Sequence, residues 1–516
     1  MKHILIKKLG NLLIMAIMVQ TWVSCNDFLD VSPRGTEKAE DVYATQSGFR
    51  NVLNGVYMQL SDANLYGKNT SYYLPELLAR HWTLPSDNFS DNTYIVPNYN
   101  FANYNGNSFF TSVWQSYYKA VAQLNNLLEE LDKTDVKFSD DTEHFIRAEA
   151  LGLRAFIHLE VLRYWGPAPL VAMSETPAVP YVTEMTFETQ KLLTLPWMEV
   201  AEKIRKDLDA AQALLKQYDL IQNVSASNLN STSTSGGGKL EDLWFHFRQN
   251  RFNYYAVLAT KARLYNWMKA DPAYPLAAKD SAAYYAAEVI NAVNAESGQK
   301  QFEFTTSLNL ATNGLNMSGE CIFALHNPLL QDVIQTAFKD NPPQLTQSTA
   351  NLDVAYEAAA NANDLRYGSI TTGRYWQSVY VPNIGTFNRF MKYADDSRTT
   401  YGTTLTRNQI PVVRLSEMYF ILIENTDNIS TVKNTFRTFQ QARNFSLSSI
   451  SSLATPVDVL NKLEKEYRKE FYGEGQMFFF YKKQGYVSFT YPDAFSLPQG
   501  LESYRLPLPK SQQQFE

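Results

Sequence analysis

Two cysteines and six histidines in 516 residues leave this chain little to hold a transition metal with. His3 belongs to the leader, and no two histidines stand at the i, i+4 spacing on one helix that zinc hydrolases use. Without a cysteine cluster to supply thiolates, a structural zinc is not expected. The Gly-x-Ser-x-Gly elbow of a serine hydrolase and the glycine-rich phosphate loop are also absent. Gly236 to Gly238 lack the strand and the lysine-hydroxyl pair of a nucleotide cradle, so no cofactor is expected. Charged residues make up 19% of the chain and the formal net charge is -6, which gives no basic surface for nucleic acid. Past the leader, no stretch of eighteen or more apolar residues offers a membrane span.

The leader is distinctive. Lys2, Lys7 and Lys8 form a basic head, Leu12 to Val19 an apolar stretch too short for a permanent span, and Ser24 a small residue ahead of Cys25. This reads as a lipoprotein signal over residues 1–24, with Cys25 as the lipidated first residue of a mature domain over 25–516. Trp22 stands at -3, where a small or aliphatic residue is usual, and the alternative is an ordinary cleaved secretory signal. Each buried acyl methylene contributes about 0.8 kcal/mol, so two or three chains tether a protein effectively for good. Removing residues 1–24 takes three lysines and no acids and moves the net charge from -6 to -9. With Cys25 acylated, Cys321 has no partner for an intramolecular disulfide; within GECIFALHN it is predicted to be a small buried hydrophobe in a strand.

Helical periodicity dominates the rest. Val113, Tyr117, Val121, Leu124, Leu128 and Leu131 recur at spacings of three and four, the stripe of an amphipathic helix. Similar stripes run from Phe145 to Leu162, Met198 to Leu215, Tyr254 to Met268 and Leu415 to Leu422. Thr45 or Ser47 is placed to cap the helix carrying Phe49, Leu53 and Tyr57, and Asp458 the helix beginning at Val459. His158 falls on a helix as a packed or capping histidine. The pattern predicts a mainly α fold of antiparallel helix pairs without a fixed repeat period. Short β stretches, Cys321 to Leu325 and Gln409 to Val413, are too few for a large sheet. Between the helices lie long insertions, Leu60 to Phe110 and Asn361 to Arg389, where polar and aromatic residues collect. Residues 225–238 are nearly free of apolar side chains and read as a flexible surface loop.

Five segments in order, CNDFLDVSPRG, RAEALGLRAFIHLEVLRYWGPAPLV, PVVRLSEMYFILIE, LEKEYRKEFYGEGQMFFFYKKQG and YRLPLP, together resemble the SusD/RagB family of surface lipoproteins from Bacteroidetes. The opening CNDFLDVSPRG is similar to that family's acylated N-terminus, with Asn26, Asp27 and Asp30 forming an acidic stretch associated with export to the cell surface. RAEALGLRAFIHLEVLRYWGPAPLV resembles its Arg-Ala helix and aromatic-Gly turn. PVVRLSEMYFILIE resembles its Arg-x-x-Glu-x-Tyr helix through Arg414, Glu417 and Tyr419. LEKEYRKEFYGEGQMFFFYKKQG matches at Glu470, Phe471, Gly473, Glu474 and Gly475, and YRLPLP closes the series. Gln476 departs from the arginine common after Glu-Gly, which puts one salt bridge in doubt. The resemblance implies a SusD-like fold with four degenerate tetratricopeptide-like helix pairs, minor β structure and a loop-rich ligand face. Arg154, Arg414, Glu417 and Glu474, charged groups in or beside helices, are expected to pair structurally.

Sugars present C–H faces to aromatic rings and hydroxyl rims to Asp, Asn and Arg. Arg80, Trp82, Asp87, Asn88, Tyr94, Tyr99 and Tyr104 combine both chemistries within 25 residues, and Arg374, Tyr375, Trp376 and Tyr380 form a second group. For Trp82 and Trp376 the other reading is a loop anchor in the core. By resemblance, the protein is expected to be a non-enzymatic lipoprotein on the outer face of the outer membrane. There it would capture glycan and pass it to a SusC-like TonB-dependent transporter. The alternatives are a RagB-like peptide-uptake lipoprotein and a lipid-anchored glycoside hydrolase. A hydrolase needs two carboxylates about 5 to 10 Å apart, for which Asp87 and Asp91 are the candidates.

Overall fold

The computed structural model describes residues 39–83, 92–101, 104–186, 192–270, 275–308, 310–367, 375–394 and 404–513. Cys25, with the leader before it and the acidic stretch after it, lies outside them. The principal helices are α1 (Gln46–Ser61), α2 (Leu74–Leu78), α3 (Tyr104–Lys133), α4 (Thr142–Trp165), α5 (Trp197–Tyr218), α6 (Tyr254–Met268) and α7 (Pro275–Ile290). After them come α8 (Leu415–Glu424), α9 (Ile429–Ala442), α10 (Pro456–Glu470) and α11 (Gln476–Gln484). Helices close in sequence pack together, α3 on α4, α4 on α5, α6 on α7, α8 on α9 and α10 on α11, the mainly helical arrangement that the stripes predict.

The stripes mark the buried faces. On α3, Val113, Tyr117, Val121 and Leu124 are all but inaccessible, and such side chains contribute about 1.5–3 kcal/mol each on burial. Helix α4 differs, because Glu149, Arg154, Glu160 and Arg163 on it are buried too. Arg154 forks onto Asp207 at 2.7 and 2.9 Å, and Arg163 reaches Glu160 at 2.6 Å, so no solvated face is needed. Gly152 lets α4 approach Phe252 closely, since a Cβ there would stand 2.5 Å from the Phe252 ring.

Thr45 caps α1 by accepting the Gly48 N–H at 3.1 Å. The predicted cap at Asp458 is corrected: Thr455 is the N-cap, and Asp458 is the third helical residue of a reciprocal capping box that starts α10 at Pro456. Gly475, at φ 76°, opens α11 in the left-handed region, and a Cβ there would meet Pro75 of α2 at 2.4 Å.

Strand structure is minor among the described residues. β1 (Cys321–His326) pairs antiparallel with β4 (Gln409–Arg414), β2 (Trp376–Val381) with β3 (Gly385–Phe390), and β5 (Ser488–Phe489) with β6 (Phe495–Ser496). Cys321 opens β1 fully buried, and burial pushes its thiol well up. The insertion from Leu60 to Phe110 is less irregular than its composition predicts. It holds a π-helical turn at Asn69–Tyr73, α2 and the start of α3. Residues 225–238 lie on the surface, with a short helix at Ala226–Leu229 and the Ser225 N–H bonded to Glu296 at 2.6 Å.

A buried ionic cluster ties the late helices to the sheet. Glu470 of α10 accepts from Arg414 at 2.7 Å and from Arg443 at 2.6 Å; both arginines also reach Glu320, and Arg414 reaches Glu474. Burial alone would raise the Glu470 carboxyl, but Arg443 and Arg414 hold it well below the usual carboxylate range. Glu417 receives Arg263 at 2.7 Å, and Gln476, where the resemblance expected arginine, accepts from Arg163 at 2.8 Å. These charged residues have the structural role predicted for them.

Candidate functional site

Chain reversal after α2 builds the site. Arg80 adopts φ 59°, and its guanidinium then spans three segments. It donates to the Pro97 carbonyl at 2.9 Å, grips both oxygens of Asp493 at 2.9 and 3.2 Å, and lies 4.2 Å from the Phe495 ring centroid. Both Asp493 contacts come from one guanidinium nitrogen, Nη2, and Asp493 remains largely exposed. Arg80 and Asp493 form one wall of a cleft of about 290 Å³, with Trp82, Tyr94, Asn98 and Asn351 also on its lining. A second cleft, of about 690 Å³, shares Tyr94 and Asn98 with the first and continues past Tyr99, Asn100, Gln499 and Arg505. The half-buried Tyr94 sits where the two meet.

The predicted aromatics divide by burial. Trp82 and Trp376 are 5% and 6% exposed, and they meet edge to face with centroids 6.0 Å apart. Both pack on Phe390 and Tyr472, and Trp82 donates its indole N–H to the Tyr72 carbonyl at 2.9 Å. They anchor the core behind the cleft, and Trp82 reaches the cleft lining as well. Tyr99 is buried, with φ 53°, and donates its hydroxyl to the Leu78 carbonyl at 2.8 Å; burial pushes that phenol well up. Tyr375 is buried 4.6 Å below the Lys392 ammonium, whereas Tyr380 stands 71% exposed on the β2–β3 hairpin, away from both clefts.

Asp87, Asn88, Asp91 and Arg374 lie outside the described residues, as does the side chain of Tyr104, whose backbone opens α3. Sequence reading missed Asp493, Asn98, Asn351 and Arg505. Asp493 and Arg505 come from the C-terminal segment, and no local pattern couples them to Arg80.

His158 is packed rather than placed for chemistry. Its Nδ1 donates to the Arg154 carbonyl at 2.8 Å, its Nε2 accepts the Val182 N–H at 3.1 Å, and its ring stacks on Tyr181 at 3.9 Å. Burial brings the imidazole down to about 3. Among the described residues, no group of three or more His, Cys, Asp or Glu could hold a metal ion. No described helix is long and apolar enough to cross a membrane.

Comparison with known proteins agrees along two lines. Residues 27–226 match a SusD-like family described as starch-binding and associating with the outer membrane. A SusD-like protein from Formosa agariphila is 25% identical over 180 residues, 31% of this chain and 31% of that relative, so the match spans about a third of its length. Over nearly the whole chain the likeness is one of fold. A SusD superfamily protein from Bacteroides thetaiotaomicron superposes with a TM-score of 0.65 at 18% identity, covering 91% of this chain and 98% of that one. A SusD-like carbohydrate-binding protein from Bacteroides vulgatus gives 0.63 at 15% identity, covering 92% and 96%. The N-terminal part of the chain thus matches a SusD-like family in sequence, and nearly the whole chain shares the fold of SusD superfamily structures.

Proposed function

We propose that this protein is a non-enzymatic glycan-binding lipoprotein, held on the outer face of the outer membrane by acyl chains on Cys25. It captures oligo- or polysaccharide and passes it to a SusC-like TonB-dependent transporter. The observation that carries the reading is the paired cleft in which the Arg80–Asp493 ion pair, Asn98 and Asn351 stand beside the Tyr94 ring. The ion pair and the amides offer donors and acceptors to a rim of sugar hydroxyls, and the ring offers a face to sugar C–H groups. Two clefts joined at Tyr94 suit an extended chain better than a single sugar. The family's description as starch-binding and the carbohydrate-binding relative from Bacteroides vulgatus support the same ligand class.

The mechanism is reversible binding with no bond made or broken. Affinity electrophoresis over neutral and acidic polysaccharides, with an oligopeptide library as a parallel arm, tests it. Retardation by at least one glycan is expected. Capture of peptides with no glycan retarded would replace this reading with peptide uptake, and release of shortened glycan would replace it with a hydrolase. Protease shaving of intact cells tests the location, since an anchored surface protein is cut and one facing the periplasm is spared.

A further inference from the structure

Where α4, α6, α8, α10 and α11 converge, far from the proposed glycan cleft in sequence and lining, lies a cavity of about 20 Å³. It has room for one occupant of water or halide size. Two donors on its lining, Arg163 Nε and Trp267 Nε1, have no acceptor among the described residues, although each residue is only 3% exposed. Donors buried this deeply are destabilising unless something accepts from them.

The ion pairs at the cavity show what that acceptor must carry. Arg163 and Arg263 share Glu160 at 2.6 and 3.1 Å, and Arg263 also grips Glu417 at 2.7 Å. Lys483 and Lys269 share Glu424 at 2.6 and 2.9 Å. At their formal charges, four cations meet three carboxylates around the cavity, a surplus of one positive charge, with Lys269 half-buried and set off the cavity lining. Burial, with Lys269 and Arg163 adding to it against Glu424, brings the Lys483 ammonium down to about 8. The Arg163 guanidinium also lies 3.6 Å from the Phe479 ring centroid, a face that accepts no second hydrogen bond in the carboxylate manner. A water would satisfy the donors and leave the charge surplus; an anion answers both.

We propose that this cavity is a binding site for a monovalent anion of chloride size, held between Arg163 Nε and Trp267 Nε1. Gln476 is the half-buried member of an otherwise buried lining, so the ion exchanges with solvent past it. The site is independent of what the cleft binds.

Crystals of the native protein soaked in bromide should show an anomalous peak within hydrogen-bonding reach of both donors. At constant ionic strength, replacing gluconate by chloride should raise the unfolding midpoint by about 1–2 °C per tenfold rise in chloride once the site begins to fill. Gln476→Glu, which places a fixed negative charge beside Arg163, should abolish that chloride dependence. The absence of an anomalous peak would overturn the proposal whatever the melts show. A peak with no difference between chloride and gluconate in the native protein would equally overturn it, because the ion would then bind only at soaking concentration.

Discussion

Trp82 and Trp376, far apart in sequence, meet edge to face at 6.0 Å and close the aromatic cluster behind the cleft. Trp376→Ala should therefore cost about 3–5 kcal/mol of stability, as truncation of a large buried aromatic does. Denaturant melts check this. If Trp376→Ala melts like the native protein, the residue is not the anchor its burial makes it.

The cleft wall makes a different prediction. Asp493→Asn keeps the shape of the side chain while removing the carboxylate that Arg80 grips at 2.9 and 3.2 Å. Asp493 is largely exposed, so stability should change by less than about 1 kcal/mol. Glycan affinity should nonetheless fall about tenfold, equivalent to about 1.4 kcal/mol. Titration calorimetry beside a thermal melt separates the two effects.

Glu470 lies between Arg414 and Arg443 with no exposed surface. Glu470→Gln leaves two buried guanidiniums sharing Glu320 and should destabilise by about 3–5 kcal/mol. Glycan affinity per folded molecule should be unchanged, since none of Glu470, Arg414, Arg443 and Glu320 lines the cleft. A stability loss below 1 kcal/mol would mean that the cluster is not the tie between α10 and the β1–β4 sheet.

His158 gives the fold a pH dependence of defined sign. Its folded value of about 3 lies below the ordinary 6.5, so between these limits the unfolded chain binds the extra proton and the folded chain does not. The stability His158 provides is full above about 6.5 and is lost as the pH falls toward 3, by up to about 1.4 kcal/mol per pH unit. His158→Gln should flatten that part of the stability profile. A native profile level between pH 6.5 and 4 would refute the assignment of Nδ1 as donor and Nε2 as acceptor.

Much of the helical scaffold is legible in the sequence, because a stripe with a period near 3.6 can be satisfied only by a helix with one buried face. Helix α4 shows where that reasoning stops. Its stripe predicts one buried side, whereas Arg154 pairs with Asp207 of α5 and Glu160 with Arg263 of α6 on the others, and pairing between distant segments leaves no mark in local periodicity. The start of α10 shows a smaller limit, since Thr455 and Asp458 can both cap and only their reciprocal bonds decide which does.

The site was legible in part, for a related reason. Arg80 and Tyr94 are near neighbours in sequence, and the reversal after α2 keeps them together at the first cleft. Asp493, Asn351 and Arg505 reach the clefts only through tertiary packing. Tryptophan suits a sugar platform and a core anchor equally well, so composition alone could not assign Trp82 or Trp376. Their burial and mutual contact place them behind the cleft, while Tyr94, a less conspicuous residue, lies at its centre.

The most direct test of glycan capture at this cleft is calorimetric titration of one retained oligosaccharide into the native protein and into Tyr94→Ala, both first shown to melt alike. Binding by the native protein and a loss of about tenfold or more in the variant is the predicted result. Equal affinity in the two proteins, or no glycan binding by the native protein, would contradict it.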